Sequence, residues 1–364
     1  MAALDRQSAF SGTKEVPAAL RIDATRLQTW LAARVPDLVG AIEVRQFRGG
    51  QSNPTYLVTC GGRRHVLRRK PPGKLLPSAH AVDREFRVIS ALAAQGFPVA
   101  RPIVACDDPE VIGTPFYLMD FVDGRVFWEP HMPASNPAER AATYDAMNAT
   151  LAQLHAYDPT TIDLGDFGRG ETYVKRQIER WSQQYRASET ERVDDMERLI
   201  AWLPANVPPA GPVRLVHGDF RLDNVIVAHD RPAVIAVIDW ELATLGDPLA
   251  DFTYHLMQWF MPPSESGAGV GSLVGHDLDA LGLPTVEHYV ARYAERTGLD
   301  PRPHLPVYLA YNFFRLAAIF QGILGRVRDG TATSEHAGSK AQMVRPLAER
   351  AWAFAREAKA AGGP

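Results

Sequence analysis

The residues best suited to chemistry lie in one stretch, His217-Gly218-Asp219-Phe220-Arg221-Leu222-Asp223-Asn224, which runs straight into the apolar tripeptide Val225 to Val227. Fifteen residues after Asn224, the apolar run AVIAVID delivers Asp239 just before Trp240 and Glu241. Two strands joined by a short turn would bring Asp219, Asn224 and Asp239 to one end of a hairpin. A carboxylate beside an amide and a second carboxylate suits a hard, oxygen-seeking cation such as Mg²⁺. The carboxylate left over can accept a hydroxyl proton. Alone, HxD is often a capped turn and IDWE a strand ending in a solvated acid; together, with strand spacing intact, they point to a site.

The pattern H-G-D-x-x-x-x-N followed by I-D-W-E resembles the aminoglycoside-phosphotransferase-like branch of the protein-kinase-like fold. That resemblance implies that Asp219 is the catalytic base and that Asn224 and Asp239 are Mg²⁺ ligands, in parallel with the kinase catalytic loop and its metal-binding aspartate. Protein kinases carry H-R-D where this chain has His217-Gly218-Asp219, a departure that favours small-molecule acceptors. The block GDPLADF, Gly246 to Phe252, matches too; there Asp251 is expected to brace the catalytic loop by hydrogen bonding without touching substrate.

The same resemblance distributes nucleotide-binding roles over the earlier part of the chain. Gly49 and Gly50, in Arg48-Gly49-Gly50-Gln51-Ser52-Asn53, would let backbone N–H groups approach phosphate, with Ser52 or Asn53 as further donors. By itself a Gly-Gly turn is most often only a hairpin. Arg68, in His65-Val66-Leu67-Arg68, stands where a lysine usually supplies the cation for the phosphates, and Glu85 on the following helix is its natural partner. Met119, Asp120, Phe121 and Val122 fit the hinge that receives adenine through backbone groups, with Met119 lining the pocket. The chain has 33 Arg and 6 Lys, so arginine at position 68 fits a general drift, although its planar fork differs from an ammonium in reach.

Three blocks, RRKPPGKLLPSAHAVDREFR (Arg68 to Arg87), LVHGDFRLDNVI and IDWELATLGDPLAD, are similar to a narrower group, the kinase-like domains fused to or encoded with acyl-CoA dehydrogenases. The likeness runs from about Glu43 to Phe320. It implies transfer of the ATP γ-phosphoryl group, with Mg²⁺, to a hydroxyl of a small molecule such as a hydroxyacyl-CoA, and an acyl-CoA dehydrogenase as partner. Three other readings stay open. The acceptor is an aminoglycoside, choline or homoserine; the protein is a metal-dependent hydrolase using His217, Asp219, Asp239 and Asp251; or it is a weakly active nucleotide-binding partner of an acyl-CoA dehydrogenase. In the fused forms the dehydrogenase follows this domain, so with the last residue at Pro364 no flavin domain is expected.

These residues need elements to position them. Thr25 to Val35 predicts an amphipathic helix capped by Thr25 or Asp23. IEVRQF, YLVTC and HVLRR alternate around two glycine-rich breaks and predict a three-stranded antiparallel meander. His80 to Gln95 has helical periodicity, and RPIVACDD and TPFYLMDFVDG predict two more strands. Helical patterns then cover Pro137 to Tyr157, Glu171 to Ser188, Glu191 to Leu203, Asp251 to Phe260, Thr285 to Arg296, Pro306 to Val327 and Ser339 to Ala360, with the Gly, Pro and Ser-rich loop Pro262 to Gly275 among them. The expected class is therefore α+β: a two-lobed protein-kinase-like fold with a small antiparallel sheet lobe (1–118), a hinge (119–124) and a larger, mainly helical lobe (125–364).

Composition sets outer bounds. With 39 Lys and Arg against 42 Asp and Glu, the net charge of −3 argues against a dedicated nucleic-acid binder. Arg63 to Lys74 nonetheless carries six basic residues in twelve, expected to be a solvated edge strand or a rim for an anionic substrate, with Arg326 and Arg328 as further rim candidates. Cys60 and Cys106 are the sole cysteines, which fits a reducing cytosol and excludes a disulfide scaffold. No apolar leader suggests secretion, and the apolar stretch Leu309 to Leu324 contains Asn312, Arg315 and Gln321, which favours a buried helix over a membrane span. A cytoplasmic protein is expected.

Overall fold

The computed structural model describes residues 6–49, 53–73, 81–263, 271–329 and 342–362. A short helix, α1 (Arg6–Phe10), and a two-residue strand, β1 (Thr13–Lys14), come first, where the polar leader shows no periodicity. Helix α2 (Ala24–Ala32) is capped by Asp23, whose carboxylate accepts the N–H groups of Thr25 and Arg26 at 3.0 Å. Strands β2 (Ile42–Phe47), β3 (Thr55–Cys60) and β4 (Arg63–Arg69) form the meander. The β3–β4 turn is Gly61-Gly62, both at positive φ, and a side chain at Gly61 would collide with the Val39 carbonyl. Helix α3 (Val82–Ala94), β5 (Pro102–Cys106), the short α4 (Pro109–Ile112) and β6 (Phe116–Asp120) complete this lobe. The sheet order is β1-β2-β3-β4-β6-β5, antiparallel throughout.

Strand β4 is interior, which corrects the expectation of a solvated edge: β6 pairs with its second side, Arg68 opposite Tyr117. Alternation then decides where each residue of the basic run goes. Leu67 packs with Tyr56 and Leu118 on the α2 side, where Arg69 donates to the carbonyls of Ile112 (3.1 Å) and Leu20 (3.0 Å). Val66 faces the other way with Tyr117 and Met119, toward α3, and Arg68 shares that face. Arg64 pairs with Asp123 at 2.7 Å. Arg63 to Lys74 is thus no continuous basic rim; Lys74 lies outside the described residues.

The chain leaves the sheet through residues 121–124, and Arg125 exchanges backbone hydrogen bonds with Val227 at 2.7 and 2.9 Å. Helix α5 (Pro137–Ala156) begins at Asn136, which accepts the Glu139 N–H; α6 (Tyr173–Ser188) and α7 (Asp194–Trp202) follow. Four short strands come next: β7 (Arg214–Val216), β8 (Val225–Val227), β9 (Val234–Val237) and β10 (Thr244–Gly246), paired β8 with β9 and β7 with β10. Helix α8 (Pro248–Leu256) starts three residues before Asp251 because Asp247 caps it and Pro248 suits its first turn. Helices α9 (Leu278–Leu281), α10 (Val286–Thr297), α11 (Leu305–Arg328) and α12 (Val344–Ala360) complete the larger lobe.

Helix α11 is long and apolar enough to cross a membrane, yet 78% of that window is buried inside the fold. Its polar residues are used there. Asn312 donates to the Ala250 carbonyl, Gln321 to the Ser188 carbonyl and Arg315 to the Gly218 carbonyl. The last of these bonds reaches the chemistry.

Candidate active site

Residues 217–224 form the loop between β7 and β8, and several elements of the larger lobe immobilise it. Asp251, in the first turn of α8, accepts the N–H groups of His217 (2.7 Å) and Gly218 (2.8 Å), while His155 of α5 approaches the same carboxylate at 3.2 Å. Burial opposes ionisation of Asp251, but the contacts from His155 and His217 prevail and hold its carboxyl below the usual range. The His217 ring, fully buried, accepts the Asp219 N–H at Nδ1 (3.2 Å) and donates from Nε2 to the Ile238 carbonyl (2.9 Å), so it ties the Asp219 loop to the segment carrying Asp239. Gly218 sits at φ +83°, and a Cβ there would come within 2.9 Å of the Leu242 carbonyl oxygen, so glycine is required at this turn.

Asp219 and Asn224 are brought together. The Asn224 amide nitrogen donates to the Asp219 backbone carbonyl (2.9 Å) and to Oδ2 (3.0 Å). Tyr254 donates its hydroxyl to Oδ1 at 2.6 Å, and Arg221 approaches Oδ1 at 3.2 Å while its other arm pairs with Asp223 at 3.0 Å. Burial pushes the Asp223 carboxyl up, with Arg221 pulling it back. Tyr254 and Arg221 are residues that the motif reading missed. Arg221 lies inside the motif itself, and Tyr254 stands three residues after Asp251, on the same helix face.

Across the cleft, Arg68 lies between Glu85 (Nε to Oε2, 2.9 Å) and Asp239 (Nη2 to Oδ1, 2.9 Å), with Glu241 at 3.9 Å. Glu85 also accepts from Tyr117 at 2.9 Å and from the Asn53 amide; burial raises its carboxyl above the ordinary value, against the pull of Arg68. Asp239 is a non-glycine residue at φ +67°, a strained conformation that aims its carboxylate into this cluster.

Asn53 departs from its expected role. It is 1% exposed and its amide nitrogen serves Glu85, so its side chain supports the ion pair instead of facing a phosphate. Gly50 and Ser52 lie outside the described residues. Gly49 packs against the Trp128 ring, 2.9 Å from where its Cβ would be, and Trp128 in turn meets Phe10 with ring centroids 5.0 Å apart. In the hinge segment, Met119 is buried at the sheet, Asp120 pairs with Arg101 at 2.7 Å, and Phe121 lies parallel to Phe47 at 6.4 Å; Val122 is half-buried beside them.

The hydrolase arrangement of His217, Asp219, Asp239 and Asp251 does not form. Both ring nitrogens of His217 and both oxygens of Asp251 are engaged within the fold. Among the described residues no group of three or more His, Cys, Asp and Glu could hold a metal ion. A smaller set remains: the Asn224 amide, whose nitrogen is turned to Asp219, and the Asp239 carboxylate. An amide oxygen and one carboxylate suit Mg²⁺, which takes few protein ligands and completes its shell with phosphate and water oxygens.

A small antiparallel sheet above a helical lobe, with these groups where the two meet, defines a phosphotransferase of kinase-like architecture. The profile of the phosphotransferase enzyme family matches residues 43–306, and the chain belongs to that family. It is 44% identical over 316 residues to mouse acyl-CoA dehydrogenase family member 10 (87% of this chain, 29% of that protein) and 42% identical over 345 residues to chicken acyl-CoA dehydrogenase family member 11 (93% and 44%). The chain thus spans less than half the length of these relatives. Among solved structures it is 43% identical to a Ralstonia eutropha protein assigned as an aminoglycoside phosphotransferase, with a TM-score of 0.83 over 93% of this chain and 99% of that one. Choline kinase from Cryptosporidium parvum, 12% identical with a TM-score of 0.62 over 93% and 97%, shares the fold.

Proposed function

We propose that the protein is an ATP- and Mg²⁺-dependent phosphotransferase acting on a hydroxyl of a small molecule, with a hydroxyacyl-CoA as acceptor. The observation that carries the reading is Asp219, a carboxylate fixed at the end of a braced loop. In this reading Asp219 takes the acceptor's hydroxyl proton as the hydroxyl oxygen bonds to the γ-phosphorus and the bridging oxygen leaves with ADP. Asn224 and Asp239 would hold Mg²⁺, whose charge offsets that of the phosphate oxygens when it is bound. Arg68, steadied by Glu85, supplies a second positive charge.

The acceptor class rests on the likeness to proteins named acyl-CoA dehydrogenases, whose names point to acyl thioesters. Aminoglycosides, choline and homoserine are the competing acceptors, the first two favoured by the names of structural neighbours. The deciding experiment measures ATP-dependent phosphorylation of hydroxyacyl-CoA esters, the free hydroxy acids, aminoglycosides, choline and homoserine side by side. Turnover of a hydroxyacyl-CoA well above its free acid is expected. Turnover of an aminoglycoside, choline or homoserine with none of any hydroxyacyl-CoA overturns the acceptor and leaves the phosphotransferase reading in place. No Mg²⁺-dependent nucleotide binding at all would sink both.

A further inference from the structure

The catalytic loop is gripped from below by two helices through three different groups. Asp251 of α8 takes the N–H groups of His217 and Gly218. One turn later on α8, Tyr254 donates to the carboxylate of Asp219 itself, at 2.6 Å. From α11, Arg315 donates to the Gly218 carbonyl at 2.9 Å and lies over the Tyr254 ring, 5.0 Å from its centroid. Arg315 is 5% exposed, and among the described residues no carboxylate lies within ion-pair distance of it, although Asp219 acts on it from farther off. A buried guanidinium without a carboxylate partner is costly. Packing alone would be served by leucine or methionine at this position, so what the arginine adds is its hold on Gly218 and Tyr254.

Tyr254 is no placeholder that an acceptor could displace. Its ring is buried in the helical core, beneath Arg315, and burial pushes its ionisation well up, so its hydroxyl stays a donor. Oδ1 of Asp219 therefore accepts the Tyr254 hydroxyl and has the Arg221 guanidinium beside it at 3.2 Å, whereas among the described residues Oδ2 accepts from Asn224 and has no cation against it. Resting on the phosphotransferase reading, we propose that Tyr254 and Arg315 are positioning residues for the phosphoryl transfer. They lock the Asp219 carboxylate in rotation, so that Oδ2 is the oxygen presented to the acceptor hydroxyl.

The test compares the full chain with Tyr254→Phe, Arg315→Lys and Arg315→Met, reading ADP affinity with Mg²⁺ by calorimetry and turnover with the best acceptor found. Should no acceptor react, slow ATP hydrolysis by water gives the same comparison. Tyr254→Phe should keep ADP affinity within about twofold and acceptor KM within about threefold, while kcat falls roughly ten- to a hundredfold, as a loosened reacting group predicts. Arg315→Met should behave alike, and Arg315→Lys should recover part of the loss, since an ammonium still donates to the Gly218 carbonyl. Wild-type kcat in Tyr254→Phe overturns the inference. So does a fall in ADP affinity parallel to that in kcat, which would mark general damage to the fold; if Tyr254→Phe does not fold, an Arg315→Lys variant no better than Arg315→Met does the same. A wild-type protein that neither phosphorylates an acceptor nor hydrolyses ATP overturns the phosphotransferase reading instead.

Discussion

The two ends of the cleft are held by different kinds of contact. At the loop that carries Asp219 the partners all belong to the larger lobe, and they bond backbone groups as well as side chains: Asp251, Arg315, His217 and Asn224 fix the peptides on either side of Asp219. At the end proposed to take the nucleotide, the contacts run between lobes. Arg68 of the sheet reaches Asp239, and Trp128, beyond the hinge, packs on Gly49. Bonds within one core make a site that needs no rearrangement to act. An arginine that borrows a proposed metal ligand must share it when nucleotide and Mg²⁺ arrive. The difference teaches that the loop around Asp219, the proposed acceptor end, is fixed by bonds within one lobe, while the proposed nucleotide end is set by ion pairs that bridge the lobes.

The largest effect should therefore come from the end that cannot adapt. Asp219→Asn keeps the size and shape of the side chain but removes the proton acceptor and sets an amide NH2 against one of the donors around it, so turnover should fall roughly 10²- to 10⁴-fold with ADP affinity nearly intact. Kinetics of the purified variant check this, and unchanged turnover removes Asp219 from the mechanism.

Arg68 tests the other end. Arg68→Ala strips a buried Glu85 of its cation, a loss worth about 3–5 kcal/mol for a broken buried pair. The sign of its pH dependence follows from Glu85, whose folded-state carboxyl already lies above its ordinary value. Such a group destabilises as pH rises through that raised value, so the variant's deficit should shrink on acidification, where a protonated Glu85 needs no cation. Denaturant titrations at two pH values measure it; a deficit that grows in acid contradicts the assignment. Arg68→Lys is milder: if the fork is used on two partners at once, activity should drop roughly tenfold, about 1.4 kcal/mol.

Asp239→Ala comes next. A nucleotide at about 100 times its Kd stabilises a protein by about 2.7 kcal/mol. The Mg²⁺-dependent part of that stabilisation should vanish in the variant, as read by thermal unfolding with ADP, with and without Mg²⁺. If Mg²⁺ still strengthens ADP binding as in wild type, Asp239 is no ligand.

The sequence placed Asn224 and Asp239 at one end of a hairpin, because the short, strongly apolar strands β8 and β9 that join them leave little freedom, and Asp219 lies five residues before Asn224 in the loop that leads into β8. What it could not show depends on docking between distant segments. Tyr254 meets Asp219 only because α8 packs under the loop, and Arg315 serves Gly218 from 97 residues away. In the sequence, Arg315 speaks only against a membrane span. Arg63 to Lys74 resembles a charged edge until β6 is known to pair with it, since a strand's own residues do not reveal how many neighbours it has. Asn53 reads as a loop donor because nothing local shows that Glu85 lies beneath it. Local patterns were legible; partners supplied by tertiary packing were not.

The smallest expected effect lies at Gln7 of the N-terminal helix, whose side chain bonds the segment 126–128 and none of the groups around Asp219. The Gln7 side chain copies a strand pairing: its amide nitrogen donates to the Val126 carbonyl at 3.0 Å, and its oxygen accepts the Trp128 N–H at 3.2 Å. Phe10 packs at a tilt against the same Trp128, whose ring covers Gly49. Both Gln7 bonds are exposed, so water replaces them readily, and each is worth about 0.5–1.5 kcal/mol at most. Gln7→Ala should therefore lower stability by about 1 kcal/mol in denaturant unfolding and leave kcat within about twofold, because Gln7 neighbours none of the groups around Asp219. A large loss of kcat at unchanged stability would mean that the helix acts on the chemistry, and the contrast between a rigid acceptor end and an adjustable nucleotide end would have to be redrawn.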